Sequence, residues 1–213
     1  MTNHWATALR THWGLEARLS RLDGEYDLNF LVEATNGQDY VLKVMRAGCD
    51  AGLVDLQIKA LEHVASEAPG LPFPKVFPDL QGTLLPAVLD ETEQPRLVWL
   101  QQRLPGRCYA KAAPISQGLI LKLGRVLGAT DRALERFSHP GLHRDAFKWD
   151  LAQAGWITDK LDAISDPAWR ALLDEVVHGF QSVAGTLNGL PAQAIHNDAN
   201  DYNILVEGDL NER

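Results

Sequence analysis

The chain has 213 residues, of which 46% are hydrophobic and 23% charged, an ordinary globular composition with enough apolar material for a sizeable core. Its formal net charge of -8 gives no general attraction to nucleic acid or to an anionic membrane, so neither is expected as a partner. The two cysteines, Cys49 and Cys108, supply neither a disulfide framework nor a zinc pattern and read as idle thiols in a reducing compartment.

The N-terminal residues lack a basic start followed by an apolar stretch, and no apolar run approaches the ~20 residues of a membrane helix. The expectation is a soluble, cytoplasmic protein. Residues 4–13 read as a short helix. Leu28, Phe30 and Val32 then alternate with Asn29, Leu31 and Glu33, which is strand periodicity. A second alternating run places Tyr40, Leu42 and Val44 on one side and Val41, Lys43 and Met45 on the other. Asn36-Gly37 lies between them and predicts an antiparallel hairpin over about 26–46, since both residues tolerate positive φ.

Over 51–67 the period changes to three and four, with Leu53, Leu56, Ala60, Leu61 and Val64 on one helix face, and Ala68-Pro69-Gly70 ends it. Residues 71–95 are proline-rich with short extended runs. Arg96 to Gln101 reads as a strand, broken by Leu104-Pro105-Gly106. The second half is helical. One helix covers about 116–137, with Leu119, Leu123, Val126, Leu127 and Leu134 inward, and another about 145–164. A third begins at Asp166-Pro167 and carries Leu172, Leu173, Val176, Val177 and Phe180. Ala194-Ile195 and Ile204-Leu205-Val206 read as short strands, with Glu207-Gly208-Asp209 as a turn.

The sharpest chemical signal is His196-Asn197-Asp198-Ala199-Asn200-Asp201-Tyr202-Asn203, which has the spacing His-x-Asp followed by Asn of a kinase catalytic loop. Phosphoryl transfer needs a carboxylate at the acceptor hydroxyl and an oxygen ligand on the magnesium that clamps the phosphates. Asp198 and Asn203 can divide those tasks, with His196 bracing the loop. A polar turn rich in Asx bonds also accounts for this composition. Asp198, Asn200 and Asp209 fall at calcium-loop positions one, three and twelve, but Tyr202 and Asn203 at five and six, where glycine is needed at six, argue against that reading.

Lys43 sits inside an alternating apolar strand, where a lysine can meet the α- and β-phosphates of a nucleotide; a solvent-facing strand side is the plainer alternative. Gly24, before the hairpin, lets backbone N–H groups approach phosphate or simply makes a turn. His139 and His143 have the spacing of a metal pair, but Pro140 and Gly141 between them indicate a connecting loop.

Tyr40-Val41-Leu42-Lys43-Val44, Leu104-Pro105-Gly106, Leu123-Gly124-Arg125-Val126-Leu127, Phe147-Lys148-Trp149-Asp150 and Ile195 through Leu205 together resemble the aminoglycoside-phosphotransferase and choline-kinase family. The loop His-Asn-Asp-Ala-Asn-Asp-Tyr-Asn looks especially like the hydroxylysine-kinase branch and like kinase domains at the front of class III aminotransferase fusions. The resemblance runs over about 20 to 206. It implies an α+β, two-lobed protein-kinase-like fold: an antiparallel-sheet lobe with one helix over 1–100, a hinge at 101–107, and a mainly helical, incomplete lobe over 108–213.

It further implies that Lys43 contacts the nucleotide phosphates. Trp99 to Arg103, Gln101 among them, would reach adenine or guanine through the backbone. Asp198 would be the base, Asn203 a Mg2+ ligand, and Trp149 with Asp150 would lie near the acceptor pocket. ATP or GTP is the implied donor, and a small amino-alcohol or hydroxylated amino acid the acceptor. Two departures stand out. Gln57 occupies the place where the family has a glutamate paired with the strand lysine, and Glu62 points elsewhere. The metal-binding aspartate of the strand after the loop is missing, and Asp209 is a poor substitute. The expectation is therefore a fragment of a longer chain, inactive and aggregation-prone alone, with a fused downstream domain such as an aminotransferase in prospect. The alternative is a non-catalytic nucleotide- or amine-binding module of kinase fold.

Overall fold

The computed structural model describes residues 2–143, 147, 149–187 and 189–208. Helix α1 (Thr2–Trp13) turns Trp5, Ala8, Leu9 and Trp13 to one side. Strands β1 (Ala17–Leu22), β2 (Leu28–Ala34) and β3 (Asp39–Val44) follow as an antiparallel meander. The turn between β2 and β3 is where the hairpin was expected. Of the Asn36-Gly37 pair, only Gly37 takes a positive φ, 82°. Asn36 instead caps the turn, its Oδ1 accepting the Gln38 N–H at 3.0 Å. Helix α2 (Ala51–Glu67) starts at Asp50, whose carboxylate accepts the Leu53 N–H. Strands β4 (Val76–Phe77), β5 (Ala87–Leu89) and β6 (Pro95–Gln102) complete a six-stranded antiparallel sheet of order β1-β2-β3-β6-β4, with β5 also paired to β6.

Alternation along β3 works as the sequence requires. Tyr40, Leu42 and Val44 join Phe30, Val32, Val98 and Leu100 in a core covered by α1. The opposite side of the sheet carries Met45 and Trp99, which pack on Val54 and Ile58 of α2. Burying each such large side chain contributes about 2–3 kcal/mol. The buried face of α2 differs from the expected stripe. Val54 and Ile58 face the sheet and Val64 a third core, while Leu53 and Leu56 are only half-buried. Both sets have helical spacing; the helix is covered on two sides, by the sheet and by the next helix, so its apolar face is broad and its rotation cannot be read from spacing alone.

Beyond β6, β7 (Arg107–Cys108) pairs antiparallel with β8 (Leu205–Val206). Helix α3 (Gln117–Leu134) buries Thr130 and Leu134 only, and Leu119, Leu123, Val126 and Leu127 are half-buried. Leu134 meets Val64 and Ala194 in the third core. Ala194-Ile195 is not a strand: Ala194 is an anchor in that core and Ile195 is exposed.

Contacts divide the chain into two compact units, Met1–Gly141 with Ala194–Arg213, and Leu142–Gln193. In the second unit a 3₁₀ helix at Leu151–Ala163 replaces the expected α-helix. Gly155 and the β-branched Ile157 and Thr158 lower α propensity there, and Asp150 caps the start by accepting the Ala152 N–H. Helix α4 (Pro167–Leu187) begins, as expected, on Asp166, whose carboxylate accepts the Ala168 N–H at 2.8 Å. Its expected inward face is largely uncovered. Val177 is buried, but Leu172 and Val176 are exposed, as are Trp169 and Val183. No helix among the described residues is long and apolar enough to cross a membrane.

Candidate active site

The chemistry-bearing residues of the first unit fall into three groups. The first is a row across the sheet. Strand register sets Asn29 of β2 opposite Lys43 of β3, and Lys43 opposite Trp99 of β6. The Lys43 ammonium lies over the Trp99 ring, 5.0 Å from its centroid. Burial holds this amine below the usual lysine range, and attraction to the Asp27 carboxylate draws it partly back. Trp99 is 2% exposed and its indole N–H has no hydrogen-bond partner among the described residues, nor has the buried Oδ1 of Asn29. The half-buried ammonium, without an ion pair among the described residues, is suited to an anionic ligand, whereas the Asn29 Oδ1 can only accept and calls for a donor.

The second group is the β1–β2 loop. Gly24 lies against Asn29, so that a Cβ on it would come within 2.5 Å of the Asn29 amide nitrogen and 2.8 Å of the Asp27 carbonyl. Only glycine fits that approach. Asp27 ties the loop to the end of β3 by accepting the Arg46 N–H at 2.7 Å, and the Arg46 guanidinium lies over Tyr26.

The third group is the loop between Ala194 and β8. Asn197 adopts a left-handed φ of 61°, which asparagine tolerates better than most residues. His196 Nδ1 accepts the Asp198 N–H at 3.3 Å, and its ring packs near Phe73. Both Asp198 carboxylate oxygens are held by amides: Oδ1 accepts from Asn200 Nδ2 at 2.7 Å and Oδ2 from Asn203 Nδ2 at 2.6 Å. Asn200 Oδ1 meanwhile accepts the N–H groups of Tyr202 and Asn203, so one amide fixes both the turn and the carboxylate. Asp198 and Asn203 are exposed. With its NH2 turned to Asp198, Asn203 presents its Oδ1 as an oxygen that a hard cation such as Mg2+ accepts.

Residues 107–110 moor this loop. The Tyr109 N–H donates to Ile204 O and the Ala110 N–H to Asp201 O, at 2.8 and 2.9 Å. The Cys108 thiol also reaches Asp201 O. Gly106 has φ 111°, and a Cβ there would meet Val206 O at 2.8 Å, so the connector runs tight against β8.

Other sequence-derived candidates take less direct places. Gln57 lies on the exposed side of α2, and no side-chain hydrogen bond joins it to Lys43 among the described residues. Gln101 is the penultimate residue of β6, opposite Val41 and Val76, and the neighbouring N–H groups of Gln102 and Arg103 already donate to Lys75 O and Asp39 O. His139 is engaged with Asp55 of α2 at 3.0 Å and accepts the Gly141 N–H, which occupies both ring nitrogens. Trp149 is exposed and Asp150 caps the 3₁₀ helix; Lys148 and Asp209 lie outside the described residues. An open cleft of about 510 Å³ beside Gln38, Lys75, Gln102 and Arg103 includes neither Lys43 nor the Asp198 loop. Asp27, Asn29 and Asn200 were not singled out as site residues from sequence. The signal available is spacing: Asn29 falls opposite Lys43 in the β2–β3 hairpin, Asp27 is two residues before it, and Asn200 lies between Asp198 and Asn203.

A lysine-bearing antiparallel sheet joined to a moored His-x-Asp loop with a downstream Asn defines a phosphotransferase-type arrangement. The chain belongs to the phosphotransferase enzyme family, whose family model matches residues 18–212. It is 28% identical over 207 residues to the hydroxylysine kinase of Mus musculus, covering 90% of this chain and 54% of that protein. Among solved structures, an amicoumacin kinase in complex with AMP-PNP and Ca2+ matches with TM-score 0.56 and 14% identity, over 82% of this chain and 49% of that one. A microcompartment-associated aminopropanol kinase matches with TM-score 0.53 and 21% identity, over 68% and 45%. The chain thus spans about half the length of these relatives, and its sheet and helices have the fold of such kinases.

Proposed function

We propose that this chain carries the phosphate-binding lysine and the catalytic base of a small-molecule kinase. The reaction is transfer of the γ-phosphate of ATP or GTP to the hydroxyl of a small amino-alcohol or hydroxylated amino acid. The observation that carries the reading is the exposed Asp198 carboxylate, clamped by the Asn200 and Asn203 amides while Asn203 keeps an oxygen for a cation. In this reading Asp198 accepts a hydrogen bond from the acceptor hydroxyl, orients it for in-line attack, and takes its proton as the new P–O bond forms. Lys43 neutralises phosphate charge from the sheet side. Mg2+, when bound at Asn203, supplies charge neutralisation of the triphosphate.

The names of the relatives, hydroxylysine kinase and aminopropanol kinase, support an acceptor with an amine near the reacting hydroxyl. Asp198→Asn is expected to lower the rate of phosphate transfer to hydroxylysine or aminopropanol by about 10²–10⁴. An unchanged rate would remove Asp198 from the role of base. A second reading, a non-catalytic nucleotide- or amine-binding module, draws on the exposure of Gln57. It calls for Mg-ATP binding with no transfer to any acceptor in the same assay.

A further inference from the structure

The sheet lysine has no partner on α2, yet it needs one. Gln57 is on the exposed side of the helix, Asp55 is committed to His139 and Glu62 to Lys59, and Glu67 is exposed at the helix's last residue. On β6, Arg96 is paired with Asp90. What remains around the amine is on the other side. Asn29 is directly across the β2–β3 register from Lys43, at the separation where opposed side chains meet. Asp27 lies in the bend that leads into β2, where its carboxylate accepts the Arg46 N–H just past the end of β3, three residues from Lys43.

We infer that Asp27, in the bend before β2, and Asn29, of β2 itself, are the positioning residues of Lys43 and replace a helix carboxylate in that task. The inference rests on the kinase reading for its purpose, not for its geometry. Three independent observations support it. The Asn29 amide NH2 is turned toward Gly24, which leaves its Oδ1 buried and unpartnered, an acceptor in search of a donor. Lys43 is the donor across the register. Asp27 is fixed by the Arg46 N–H through one carboxylate oxygen only, and its charge is the one that acts on the Lys43 amine. The ammonium rests on the Trp99 ring. When phosphate draws it away from the ring, Asn29 Oδ1 accepts one ammonium hydrogen and Asp27 supplies the opposing charge. Gly24 is then required for two reasons at once: it admits phosphate to the loop backbone and makes room for the Asn29 amide.

The test is competitive acetylation of Lys43 with acetic anhydride across pH, read by mass spectrometry on the full chain without nucleotide. Asp27→Asn is expected to move the Lys43 midpoint to lower pH, because the charge favouring the ammonium is gone while burial remains. Asp27→Glu restores it, and Gln57→Ala and Asn29→Ala leave it in place, since Asn29 Oδ1 has no hydrogen bond to the amine before phosphate arrives. General loosening would instead expose the amine and move the midpoint up. An unchanged or raised midpoint in Asp27→Asn, or an equal fall in Gln57→Ala, overturns the inference. In a second arm, Asp27→Asn and Asn29→Ala each weaken Mg-ATP binding by about tenfold, and unchanged binding in Asn29→Ala removes Asn29 from the task. If the wild-type chain bound no Mg-ATP, the kinase reading would fail while the acetylation result still decided the place of Asp27.

Discussion

Helices α1 and α4 have similar sequence patterns and opposite fates. In α1, twelve residues bury two tryptophans and a leucine against the sheet. In α4, twenty-one residues bury Val177 alone and leave Trp169 61% exposed. Apolar periodicity marks the face a helix needs to cover, but not whether anything covers it. The sheet unit is therefore expected to hold most of the stability, while α4 leaves Trp169, Leu172, Val176 and Val183 exposed.

That contrast can be broken by substitution. Phe30→Ala, at a fully buried position under α1, is expected to cost about 4 kcal/mol in denaturant unfolding. Val176→Ala on the exposed face of α4 is expected to stay within about 0.5 kcal/mol. Equal losses would mean that α4 is packed in solution. Between these extremes lies the connector. Gly106→Ala places a Cβ against Val206 O at a left-handed φ and should cost about 2 kcal/mol. The loss should be local, seen as faster hydrogen exchange at Tyr109 and Ala110, whose N–H groups moor the Asp198 loop. Unchanged exchange there would separate Gly106 from the placing of that loop.

The two sides of the sheet were legible to different degrees. The β2–β3 hairpin followed from Asn36-Gly37, and the face of Lys43 from strict alternation, because a period of two leaves one answer. The rotation of α2 did not follow, since Leu53 and Leu56, three apart, satisfy helical spacing as well as the buried Val54 and Ile58, four apart. That rotation also decides where Gln57 points, and so the expected place for a lysine partner was the exposed side of a helix. In the 196–203 loop, spacing singled out Asp198 and Asn203. The part played by Asn200 was hidden because an Asx turn and a carboxylate clamp use the same residue type, and here one side chain does both. The 3₁₀ geometry of Leu151–Ala163 was hidden too, since apolar spacing over so short a segment does not distinguish the two helices.

The most direct test of a phosphate-binding cleft on this sheet is calorimetric titration of Mg-ATP and Mg-GTP into the chain beside its Lys43→Ala variant, both checked as folded by circular dichroism. Binding by the wild type that weakens at least about tenfold in the variant is the expected result, and names the donor. Equal affinity for the two folded chains would contradict the placing of phosphate at Lys43.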